Sequence, residues 1–145
     1  VATTILTSDQ FVAAIIATLA LKGRTETFVL TETELDKRFE GAFEELVGSE
    51  DKLGIRPNFT FYVDPFHGDS VSLRDTLLAA REKELIELNN PTFRTFKVIL
   101  KEERAKRYLS EVPLKRSFLN RIVEKYFPRV GGQASSERRQ PALAG

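Results

Sequence analysis

The sequence predicts an α+β fold that is mainly α. Its helices carry a small antiparallel sheet with a β-hairpin, and two C-terminal helices follow. Three observations predict it. Apolar residues recur at helical spacing in five separate stretches, several of them bounded by capping residues, Gly or Pro. Two β-prone runs, residues 85–88 and 93–100, flank the polar turn Asn89-Asn90-Pro91-Thr92. The chain has 145 residues, 41% of them apolar and none of them cysteine. A domain of this length buries roughly 70% of its unfolded surface, so it needs neither disulfides nor metal for a core.

The elements follow in order. Thr7 and Gln10 have capping-box spacing, in which hydroxyl and amide each satisfy the other residue's backbone N–H. Phe11, Val12, Ile15, Ile16 and Leu19 then recur at helical spacing, with Ala13, Ala14, Ala17 and Ala20 on the other faces. A helix apolar all round belongs in a core or at a subunit interface. Gly23 stops it. Residues 27–30 read as extended. Thr31 and Glu34 form a second capping box. Leu35, Phe39, Phe43, Leu46 and Val47 make one helical stripe, with Asp36, Lys37, Glu40, Glu44 and Glu45 expected on a solvated opposite face.

Residues 49–58 read as a loop, and the alternation in residues 59–63 reads as a strand. Ser72 and Asp75 signal a third helix, running to about Lys83 on Leu73, Leu77, Leu78 and Ala80. The hairpin follows, with Phe96, Val98 and Leu100 on one face; a helix continuing through Leu88 is the alternative for its first run. Ala105, Tyr108, Leu109 and Val112 mark the next helix. Beyond Pro113, Leu114, Phe118, Leu119, Ile122, Val123, Tyr126 and Phe127 mark the last. Residues 1–130 read as a single domain and residues 131–145 as a flexible basic tail.

The net charge of +1 hides an asymmetry. Residues 1–90 hold 9 Lys/Arg and 16 Asp/Glu, whereas residues 91–145 hold 13 and 5. A basic half of this kind suits an anionic partner, a solvated surface, or the acidic half of a second copy. The longest apolar run, residues 11–21, is shorter than the ~20 residues that span a bilayer, and no basic stretch precedes it. The expectation is a cytoplasmic protein without membrane contact.

No catalytic kit is legible. Asp64, His67 and Asp69 are the one acid–base cluster, and turn chemistry explains them without a ligand. Asp36, Glu40 and Glu44 share a helix face but lack histidine partners for a metal. There is no phosphate-binding glycine loop and no nucleophile elbow. Neither enzyme activity nor a cofactor is expected. Eight of the eleven phenylalanines fall on inward faces, while Phe66 and Phe93 lie in or beside turns.

Helix, helix, strand, helix, hairpin and final helices, in that order, resemble a winged helix-turn-helix domain. The likeness rests on residues 72–100 and departs from a compact winged helix in the insertion at residues 49–70. It implies a regulatory DNA-binding protein. The helix at residues 72–83 would offer Arg74, Arg81 and Lys83 to the major groove, with Asn89, Asn90, Arg94 and Lys97 at the wing. Lys115, Arg116 and Arg121 of the basic second half would grip phosphates. The resemblance also implies a homodimer, for which the first and last helices are the candidate surfaces, the first also serving a protein partner. The opposing feature is charge. Arg74, Arg81 and Lys83 are matched by Asp75, Glu82 and Glu84. A non-catalytic protein–protein adaptor on the same scaffold is therefore the alternative.

Overall fold

The described residues form eleven short elements, arranged about one central helix. The computed structural model describes residues 4–31, 33–63, 66, 71–89 and 93–128. The central helix, α1 (Ser8–Leu21), begins on the expected capping box: the Gln10 N–H donates to Thr7 Oγ1 at 3.2 Å and the Thr7 N–H donates to Gln10 Oε1 at 2.9 Å. It ends where Gly23 adopts φ +69° and the Arg24 N–H closes on the Leu19 carbonyl at 2.9 Å.

All nine residues 11–19 of α1 are buried within this one chain. The helix therefore has no outward apolar face to give a dimer or a protein partner, which corrects that expectation. Its neighbours are α4 (Val71–Glu82), α5 (Glu102–Glu111) and α6 (Arg116–Tyr126). The stripe of α6, Phe118, Leu119, Ile122 and Val123, is also spent inside.

Strands β2 (Phe28–Val29), β4 (Ile86–Leu88) and β5 (Thr95–Val98) form an antiparallel sheet in the order β2-β5-β4. The period of two turns Phe28, Phe96, Val98, Ile86 and Leu88 inward. Phe127, just past α6, meets Phe28, Phe96 and Phe39, the last from α2 (Glu34–Gly48). This aromatic group ties the sheet to α2 and α6.

The region between α2 and α4 departs from expectation. Residues 49–58 contain a turn of helix, α3 (Glu50–Leu53), and strand β3 (Ile55–Pro57). Strand β3 pairs in parallel with β1 (Thr4–Leu6). Residues 59–63 form no strand. Their alternation is real, with Phe59 and Phe61 turned onto Phe11 and Phe43 while Tyr62 faces out. Packing rather than a hydrogen-bonded ladder sets that pattern. Ser72 does not cap α4; its hydroxyl donates to the Thr60 carbonyl at 2.7 Å. Of the second capping box only one half forms, the Thr31 N–H donating to Glu34 Oε1 at 3.1 Å.

The buried residues of all these elements form one contiguous core. Among the described residues no helix is long and apolar enough to cross a membrane. Asp64, His67, Asp69, Asn90 and the basic tail lie outside the described residues.

Candidate functional site

Helix α4 is the element to which the winged-helix resemblance assigns recognition. Leu73, Thr76, Leu77 and Ala80 are buried, which fixes the helix's rotation. At 100° per residue, Val71, Asp75 and Glu82 then point away from the core, while Leu78 lies half-buried against it. One of the three outward residues is apolar and two are acidic. Val71 is 73% exposed. The bond from Ser72 to Thr60 holds the segment bearing exposed Tyr62 beside the start of this face, and Phe66, in the same connection, is 92% exposed.

Arg74 does not face a groove. Its Nε donates to Asp36 Oδ2 at 3.1 Å and its Nη2 to Asp36 Oδ1 at 3.0 Å, a fork-on-carboxylate pair. The guanidinium also lies over the Phe93 ring, 4.4 Å from its centroid. The Asp36 side chain is 1% exposed and that of Arg74 18%. Asp36 thus leaves the solvated face expected for it, because α4 packs against that flank of α2. Glu40 is half-buried too and accepts from the Val63 N–H at 3.0 Å. Phe93 is itself buried at φ +57°, a conformation costly for a bulky residue. The Phe93 N–H, donating to the Asn89 carbonyl at 2.6 Å, helps hold it there.

The other expected contacts separate. Arg81, Lys83, Asn89, Arg94, Lys115 and Arg116 are exposed. Lys97 is half-buried and stands across the ladder from Glu87, its register partner. Arg121 is exposed but lies over the Phe118 ring at 5.5 Å. Arg104 Nη2 donates to the Lys83 carbonyl at 3.4 Å, which brings the end of α4 beside the start of α5. Lys83 and Arg104 are both exposed there.

Two charged clasps involve α2 and α6. The Lys125 ammonium and then the Tyr126 hydroxyl bond to Glu45 and hold its carboxyl below the usual range. The same bond raises Lys125, and burial raises Tyr126. Arg38 bonds to Glu34 and lowers it likewise, while its Nη1 donates to the Tyr126 carbonyl at 3.3 Å. Among the described residues no group of three or more His, Cys, Asp or Glu side chains is placed to hold a metal.

Sequence reasoning missed the Asp36–Arg74 pair, yet a trace of it was there. Asp36 lies three and seven residues before Phe39 and Phe43, and Arg74 three and four before Leu77 and Leu78. Each is on the flank of its own apolar stripe. Comparison with protein-family models, with curated proteins and with solved structures finds no match for the chain.

Proposed function

We propose that this chain is a non-catalytic adaptor of winged-helix build that binds a partner protein through the outward face of α4. One observation carries the reading: the outward residues Val71, Asp75 and Glu82 of α4 offer one apolar and two anionic groups, while Arg74 is turned inward onto Asp36. DNA affinity comes largely from phosphate neutralisation, which this face opposes. The sheet order β2-β5-β4, with α1, α2 and α4 around it, supports the winged-helix reading. The complementary partner presents apolar and cationic side chains.

The approach of Arg104 to Lys83 favours a second reading, DNA contact through phosphates at the α4–α5 junction. Titration of a random-sequence duplex at about 50 and 200 mM salt separates the two. The full chain and a form ending at residue 130 are compared. The adaptor reading expects no binding by the shorter form. Binding by both forms, falling steeply with salt and lost on exchanging Lys83 and Arg104 for Gln, overturns it.

A further inference from the structure

A hollow of about 160 Å³ opens between α1, α4 and α5, away from the outward face of α4. Val12, Ala13, Ala80 and Leu85 line its buried part. Alanine at positions 13 and 80 leaves the space unfilled. Tyr108 stands along one side, half-buried. Asp9, Lys83 and Glu111 form an exposed rim. The size matters, because an apolar protein cavity of about 150 Å³ takes up benzene.

The rim is polarised. Helix α5 passes Lys83 at Arg104 and reaches Glu111 seven residues later, about 10 Å along its axis. Lys83 therefore stands at one end of the hollow. Asp9 and Glu111 lie toward the other, where α1 begins and α5 stops. Neither carboxylate makes an ion pair among the described residues. Glu111 closes α5, whose last turn has no basic residue, so its terminal carbonyls add negative potential there.

We infer that this hollow is a binding site for a small organic cation, a compact apolar body about the size of a benzene ring that carries an ammonium group. The ring lies on Val12, Ala13, Ala80 and Leu85, beside Tyr108. The ammonium points to Asp9 and Glu111, and Lys83 repels it from the opposite end. The site does not depend on the adaptor reading, since none of its rim belongs to the outward face of α4.

The test uses two probes of nearly one shape and opposite charge, phenethylammonium and phenylacetate. Each is titrated into the full chain while the backbone amide resonances of Asp9, Val12, Ala13, Ala80, Tyr108 and Glu111 are followed. Phenethylammonium is expected to shift these amides saturably and phenylacetate to leave them. Glu111→Gln, at an exposed position, is expected to weaken phenethylammonium about tenfold, the worth of one charge-assisted bond. Ala80→Leu fills the hollow and is expected to abolish the shifts, with thermal unfolding confirming that the variant is folded. Equal shifts with both probes, no saturable shift with phenethylammonium at millimolar concentration, or unchanged binding in Glu111→Gln each overturns the assignment.

Discussion

Replacing Arg74 with Met removes the guanidinium from a carboxylate that is 1% exposed. Loss of one partner from a buried ion pair costs about 3–5 kcal/mol, because the remaining charge keeps its desolvation penalty. Asp36→Asn is the milder change. Arg74 is 18% exposed and keeps the Phe93 ring beneath it, so about 2–3 kcal/mol is expected. Exchanging both together, Asp36→Leu with Arg74→Met, removes both charges and is expected to cost far less than the single losses combined. Urea unfolding followed by helical circular dichroism measures all of these. With a slope of about 1.5 kcal/mol/M, Arg74→Met should lower the midpoint by about 2–3 M. Single costs below about 1 kcal/mol, the range of an exposed pair, would refute the reasoning. So would additivity within about 0.5 kcal/mol.

Other outcomes follow from the packing. A Cβ on Gly41 would collide with the Tyr126 ring, so Gly41→Ala should destabilise by about 1–3 kcal/mol despite its better helix propensity, and Tyr126→Ala in the same chain should relieve much of that. Chemical denaturation checks the pair. Phe127 is fully buried and touches three other rings, so Phe127→Ala should cost about 3–5 kcal/mol in the same assay. The Glu45 clasp sets a pH dependence. Glu45 is lowered in the folded chain, so its contribution is present above the ordinary carboxylate range and is lost as pH falls through the depressed value. Lys125 and Tyr126 are raised, so theirs are present below the ordinary Lys and Tyr range and are lost as pH rises through the raised values. Thermal unfolding against pH should therefore show an acid limb that Glu45→Gln flattens, and superimposable acid limbs would contradict the clasp.

What could be read in the sequence was local. The Thr7–Gln10 box, the Gly23 stop and the stripe from Leu35 to Leu46 each act within a few residues, and each sits in the fold as expected. The hairpin was legible for the same reason, since β4 and β5 pair across a short polar turn. Strands β1 and β3 were not. Each has three residues, and their partners lie some fifty positions apart, so no local period marks them. Residues 59–63 show the converse case, an alternation produced by Phe59 and Phe61 packing on Phe11 and Phe43 without any partner strand.

The candidate site was read from charge type, and charge type does not say which way a side chain turns. Arg74 looked like a groove contact because it stands in a helix beside a wing. Its partner is Asp36, 38 positions earlier. Once the burial of Leu73, Thr76, Leu77 and Ala80 fixes the helix's rotation, Val71, Asp75 and Glu82 are left facing out. The apolar first helix misled in the same way. Its residues 11–19 are apolar, Thr18 excepted, because other elements of the same chain surround them.

A photocrosslinking residue placed at Val71, with control positions at Lys106 and Arg116, tests the proposed role of α4 directly in cells that make the chain. A discrete protein adduct from position 71, lost on exchanging Asp75 and Glu82 for Lys and not formed from 106 or 116, is the expected result. Adducts to DNA, or protein adducts confined to positions 106 and 116, would place the working surface on α5 and α6 and contradict the proposal.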